Sequence, residues 1–451
     1  LNEAYFVLKI PSFSNLNRIS FYKDHGTVSI GSASIHSVEK SSIREVFPVT
    51  DIMINGNKES RVNIVFLGDG YTQNEMDDYI SEVQSVTDAL FSTVPYSNYM
   101  NYFNVYAVEV PSNDSGTDHP GTAPDCGNYN NDSFYNDTYF DSSFDLYNIH
   151  RLLYVQNDSA IYDVLSDNTP QWDIIFVMVN TTIYGGAGGS FAVFSRHSSS
   201  DEIAIHEIGH SFAGLSDEYW AGFQYANENV NMTQNTNPET TTWSPWLYDN
   251  GIGIYAHQSP GNEWYKPHQN CKMQYLGYPF CSVCTEHTIK SVYSILNPID
   301  SYSPSLNTLI ISNPQIVNFE INPINITPNT LDVQWLINNN VINDNDFNIE
   351  INTETLESGD YEIKVLLNDQ TNLVRNDPNQ LLSSEFSWLM SVRCNDVGDL
   401  NNDCSFSIFD IIIMINVALG IDEYSNNADI NNDNAVDVLD ILLLVNLVIG
   451  K

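Results

Sequence analysis

The sequence predicts a multidomain chain: an α/β domain built on a mixed sheet, then an all-β sandwich, then a small α-helical module. Three observations carry this reading. From about Arg61, strand-like runs alternate with helix-like ones, the order of a layered α/β domain. After Pro298 the helical spacing stops and a two-residue alternation replaces it. The last 57 residues then repeat themselves with a period of 30, Asp399-Leu400-Asn401-Asn402-Asp403 matching Asp429-Ile430-Asn431-Asn432-Asp433. A match of that length reflects a duplicated unit rather than composition. The expected limits are a β-rich segment over 1–50, the α/β domain over 51–308, the sandwich over 309–394 and the helical module over 395–451.

Within the first 50 residues, Tyr5–Ile10 and Thr27–Ile30 read as short strands. Val62–Leu67 is an uninterrupted apolar run and so a buried strand, ending in Gly68-Asp69-Gly70. Met76, Ile80, Val83, Val86 and Leu90 fall at helical spacing over Gln73–Ser92. Strands are expected at Phe103–Val110 and Asp173–Val179, with a helix between them around Leu146–Val155. In the sandwich, Leu331–Ile337, Phe347–Ile351 and Tyr361–Val365 alternate in strand fashion.

Charge narrows the class of partner. The 57 acidic residues outnumber 16 Lys plus Arg, for a net charge of −41, so phosphate backbones and anionic membranes are repelled and no nucleic-acid partner is expected. No apolar run reaches the roughly 18 residues that span a bilayer, so no membrane insertion is expected. Leu1–Ala4 lacks the character of a signal peptide, and the chain reads as a mature or trimmed form. Six cysteines suit an oxidising compartment. For Cys271, Cys281 and Cys284, and for Cys394 and Cys404, disulfides are the expectation. A structural zinc or redox role for the Cys281/Cys284 pair is the alternative.

The chemistry concentrates at Ser199–Tyr219. Ser199 followed by Glu202 has the form of a capping box, which predicts a helix start. His206 and His210 are then four apart, on one helix face, and can share one zinc ion. Glu207 neighbours that face without reaching the metal, as suits a general base for a zinc-bound water. Gly214 predicts a turn after the helix, and Asp217-Glu218 after it offers a third ligand.

This segment resembles the metzincins, in which the helix ends at a glycine and the third ligand follows. Keeping the glycine-to-ligand step selects Asp217, with Glu218 as the alternative. Met273 resembles the methionine turn of that clan. More closely, Val65–Thr72, Tyr184–Gly188, His206–Tyr219, and Met273 with Phe280–Cys284 resemble the bacterial IgA-peptidase family of zinc metallopeptidases. The resemblance implies a metzincin-like zinc peptidase domain, one catalytic zinc, a protein or peptide substrate and a secreted or cell-surface location. A catalytically silent binding protein or a structural surface protein is the alternative, against which Glu207 is intact. The sandwich is read as Ig-like.

The repeat places oxygen ligands at calcium-loop spacing. They are Asp399, Asn401, Asp403, Ser405 (carbonyl), Ser407 and Asp410 in the first loop. In the second they are Asp429, Asn431, Asp433, Ala435 (carbonyl), Asp437 and Asp440. Position six, where the loop turns sharply, is Cys404 or Asn434, and Asn suits a left-handed backbone better. An apolar helix follows each loop, and the whole resembles a dockerin. That resemblance implies two calcium ions and a cohesin-like docking partner.

Overall fold

The computed structural model of the chain describes residues 18–23, 28–34, 46–126, 133–258, 263–312, 315–393, 396–402, 405–423 and 425–450. The expected strand at Tyr5–Ile10, together with Cys394, Asp403 and Cys404, lies outside the described residues. The chain divides into two compact units, Leu1–Thr288 and Ile289–Lys451.

The first unit opens with an antiparallel hairpin, β1 (Arg18–Lys23) and β2 (Val28–Ser34). Next come β3 (Val49–Met53), β4 (Val62–Asp69), α1 (Met76–Phe91) and β5 (Phe103–Val108). A short pair, β6 (Ser142–Ser143) with β7 (Tyr154–Val155), precedes α2 (Asp158–Asn168) and β8 (Ile174–Val179). The edge follows as β9 (Gly186–Ala187) and β10 (Ala192–Ser195), and then α3 (Ser200–Ser211). A second short pair, β11 (Tyr255–Ala256) with β12 (Tyr265–Lys266), comes before α4 (Ser282–Ile295).

Six strands form one sheet in the order β3-β5-β4-β8-β10-β9. The inner pairs β5/β4, β4/β8 and β8/β10 are parallel, and both edge strands are antiparallel. The sheet is therefore mixed, as the alternation of elements predicts. Every residue of β4 is buried, because a central parallel strand is covered on both faces. At its end Asp69 turns inward and accepts from the Phe140 amide (2.8 Å), the Thr138 hydroxyl (2.9 Å) and the Ser142 amide (3.1 Å). Gly70, at φ +72°, follows; a Cβ there would lie 1.8 Å from the Gly116 carbonyl.

Two expectations are corrected. No helix forms over Leu146–Val155. Asp145, Tyr147 and Asn148 take positive φ, only a 3-10 turn results, and the helix comes later as α2. The α3 helix begins where Ser199 predicts, but without the capping box. Ser199 makes no side-chain cap, and Glu202 bonds instead to the Lys272 ammonium and the Gly277 amide.

The second unit holds two sheets around one core. β13 (Ile299–Ser303), β14 (Thr308–Ile311), β15 (Ile316–Pro323), β16 (Leu331–Ile337), β17 (Asn340–Asp344), β18 (Asn348–Asn352), β19 (Gly359–Asp369) and β20 (Ser383–Val392) follow in order. They pair as β13-β15-β18 and β14-β20-β19-β16-β17. Phe319 and Ile349 from the first sheet meet Trp335, Val365 and Trp388 from the second in one buried cluster. The expected boundary at 308 falls too late, since β13 already pairs with β15. Last come α5 (Ile408–Ala418) and α6 (Val438–Val448), which share a small core of Met414, Ala428 and Leu444.

Candidate metal centre

Among the described residues, three groups bring metal-ligating atoms within 4.8 Å of one another: His206 with His210 and Asp217, Glu218 with Cys271, Cys281 and Cys284, and His119 with Cys126 and His150. In the third, Asp145 holds both His150 (3.0 Å) and Cys126 (3.3 Å).

The first group gathers the residues singled out at the helix motif. Helical spacing stacks the two imidazoles on α3, with Nε2 atoms 3.1 Å apart. The helix stops where Gly214, at φ +61°, turns the chain, so the Gly214 and Leu215 amides bond back to the His210 and Gly209 carbonyls. That turn returns Asp217, whose Oδ1 lies 3.1 Å from His206 Nε2 and 3.2 Å from His210 Nε2.

Each histidine is oriented by its other nitrogen. His206 Nδ1 lies 2.9 Å from the Lys272 carbonyl and His210 Nδ1 lies 2.7 Å from that of Leu215. A carbonyl only accepts, so both Nδ1 atoms carry protons and the Nε2 lone pairs point inward. Two lone pairs and a carboxylate oxygen thus converge on one point, an arrangement that a cation completes. Burial opposes charge here, yet without a cation Asp217 lifts His210 to about 9 and the imidazoles hold Asp217 well below the usual carboxylate range, so a metal would displace the Nε2 proton. The donor set fits zinc with three protein ligands.

Glu207 stands beside this point, buried, with Oε2 free of hydrogen bonds. Burial pushes its carboxyl up, against the pull of His206 and His210. It borders a cavity of about 270 Å³ with Arg151, Tyr184, His206 and Tyr219. The Tyr184–Gly188 run lies here for a steric reason. A Cβ on Gly188 would meet Glu207 Oε2 at 2.6 Å, so the glycine makes room for this carboxylate. Met273 is fully buried against α3, where a Cβ on Gly209 would lie 2.6 Å from its sulfur.

Two features escape sequence reasoning. Arg151 sits on an irregular segment with no motif around it, and its guanidinium stacks 6.0 Å from the Tyr219 ring. Glu218, fully buried, points away from the histidines toward the three cysteines. The disulfides expected for Cys271, Cys281 and Cys284 are absent. All three are free thiols, with Cys271 and Cys284 sulfurs 3.8 Å apart and a carboxylate among them.

The expected calcium residues, Asp403 aside, occupy two loops and the first turns of the helices that follow them, Asp410 in α5 and Asp440 in α6. Asp399, Asp410, Asp429 and Asp440 are buried there. Asp410 accepts from the Leu400, Asn401 and Ser407 amides, and Asp440 accepts from those of Asn431 and Asp437. Asp429 takes the Asp433 and Asn434 amides, while Asn434 adopts φ +68°. Ser405 and Ala435 occupy position seven, Asn401 and Ser407 the remaining first-loop positions.

Residues 50–252 match the family model described as IgA Peptidase M64. The match supports a peptidase family for this segment, hence a hydrolase acting on protein or peptide, with metallopeptidase chemistry. It ends before Met273 and the three cysteines. No curated protein matches the chain. Among solved structures, it is similar to the fibronectin(III)-like modules of Clostridium thermocellum CbhA at 13% identity, covering 21% of this chain and 95% of that one, TM-score 0.15. It is similar also to an endo-beta-1,4-mannanase from Thermotoga petrophila at 12% identity, covering 31% and 29%, TM-score 0.15.

Proposed function

We propose that the first unit is a zinc-dependent endopeptidase in which His206, His210 and Asp217 hold the metal and Glu207 is the general base. One observation carries the reading: the two Nε2 atoms and the Asp217 oxygen converge within 3.1–3.2 Å beside a buried carboxylate with an unpartnered oxygen. Zinc, when bound, supplies Lewis-acid polarisation of the scissile carbonyl and acidifies water. Glu207 takes the proton of the attacking water on Oε2 and hands it to the departing amine nitrogen. Arg151, facing the same cavity, offers donors that orient a substrate carbonyl. Met273 packs as a methionine turn under the histidine helix.

The test pairs metal content with cleavage of an unfolded protein. Asp217→Ala is expected to lose both the histidine-bound zinc and the cleavage. Glu218→Ala should weaken that zinc much less, and the reverse order would transfer the ligand role to Glu218. A second variant probes the base through its neighbour. Gly188→Ala should keep the metal and lower kcat about ten- to a hundred-fold, because the new methyl displaces the Glu207 carboxylate. An unchanged kcat would remove Gly188 from the argument.

We further propose that residues 395–451 form a dockerin-like module with two calcium ions, following an Ig-like sandwich. The duplicated loops support this, as do the exposed apolar side chains of both helices, among them Ile412, Ile415, Leu442 and Leu443. Those side chains suit a cohesin-like partner. A calcium-dependent docking module would suit a secreted or cell-surface location, where free calcium is abundant.

A further inference from the structure

We infer that Glu218, Cys271, Cys281 and Cys284 form a second zinc site, structural and separate from the histidine site. Two of three distances match tetrahedral edges, and the third is shorter, as a hydrogen-bonded contact is before an ion spreads the ligands. With Zn–S near 2.3 Å and Zn–O near 2.0–2.2 Å, tetrahedral edges are about 3.8 Å for S···S and about 3.6 Å for S···O. The Cys271 and Cys284 sulfurs are 3.8 Å apart, and Glu218 Oε1 lies 3.8 Å from the Cys281 sulfur and 3.2 Å from that of Cys284. A disulfide needs sulfurs about 2.05 Å apart, and three cysteines would still leave one unpaired.

The surroundings leave the cluster short of partners. All four side chains are buried, and Glu218 Oε2 has no hydrogen-bond partner, a costly state for a carboxyl without a cation. The Cys271 sulfur accepts the Cys281 amide at 3.3 Å. Cys281 just before α4 and Cys284 in its first turn are three residues apart, a spacing that brings both side chains to one side of the helix start. Lys266, itself buried, donates to the Glu218 carbonyl at 2.8 Å and offsets part of the remaining negative charge. Soft thiolate ligands select zinc over calcium or magnesium.

The site also has a place in the architecture. Glu218 follows Asp217 directly, and its amide donates to the Met273 carbonyl at 2.7 Å. Cys271 is one residue from Lys272, whose carbonyl orients His206. An ion held by these four ligands ties the segment carrying Asp217 to the turn carrying Lys272 and Met273.

Metal analysis and cobalt substitution of the full chain test this. Wild type is expected to carry two zinc ions in the first unit, and Cys281→Ser with Cys284→Ser only one. The decisive protein is His206→Ala with His210→Ala, loaded with cobalt. It should keep one equivalent and show thiolate-to-cobalt charge-transfer absorption, which histidine and carboxylate ligands do not produce. Because that variant changes no cysteine, it decides the matter even where the cysteine variant does not fold. No thiolate band, or a disulfide among Cys271, Cys281 and Cys284 found by peptide mapping, would overturn the site.

Discussion

Glu207→Ala is expected to abolish measurable proteolysis while leaving zinc content unchanged. Loss of general-base help costs on the order of 100- to 10,000-fold in rate, and Glu207 Oε2 makes no hydrogen bond that would tie it to the three ligands. Its burial deepens the effect, since bulk water has little access to replace the carboxylate. The measurement is cleavage of an unfolded protein alongside metal content of the same preparation. Activity equal to wild type would sink the assigned role. Activity lost together with the metal would instead make Glu207 a ligand. Glu207→Gln, which keeps the shape and removes the base, should behave like the alanine variant.

The second large effect is expected at the other end of the chain. Calcium removal with a chelator that spares zinc should make residues 395–451 protease-sensitive while residues 51–288 remain resistant. Four carboxylates, Asp399, Asp410, Asp429 and Asp440, are buried around a core whose fully buried members are Met414, Ala428 and Leu444. That core is too small to offset their mutual repulsion, and 11-residue helices are marginal alone in water. Ion binding would then appear as folding free energy. Asp399→Ala with Asp429→Ala should mimic the chelator in calcium-replete buffer. An identical proteolytic pattern with and without calcium would reduce the loops to capped acidic turns.

What the sequence discloses follows from how local each signal is. His206 and His210 are legible because helical periodicity alone puts them on one face. Asp217 is legible because Gly214 sets a short fixed step from the helix end. The sandwich strands are legible because alternation over Leu331–Ile337 and Tyr361–Val365 reports which face is buried. Long-range partners are not written in this way. Glu202 has the spacing of a capping residue, yet Lys272 and Gly277, some 70 positions on, claim its carboxylate. Cys271, Cys281 and Cys284 look like disulfide candidates until Glu218 is seen among them. Leu146–Val155 has apolar residues enough for a helix, but its backbone turns left-handed at Asp145, Tyr147 and Asn148. The boundary near 308 was misplaced for the same reason, because β13 declares its membership only by pairing with β15.

Asp217 and Glu218 are adjacent, chemically alike, and committed to opposite sides of their segment. Identity at these two positions therefore matters less than parity. Exchanging one carboxylate for the other keeps an oxygen ligand on each side, whereas losing one residue between Gly214 and Asp217 exchanges the sides themselves. Deletion of Ser216 would bring Glu218 into the place of Asp217 and so withdraw it from the cysteines, with both metal equivalents expected to fall in one metal analysis. The length of this loop is thus a constraint of its own: a one-codon change in frame should be tolerated less well here than an exchange of one carboxylate for the other.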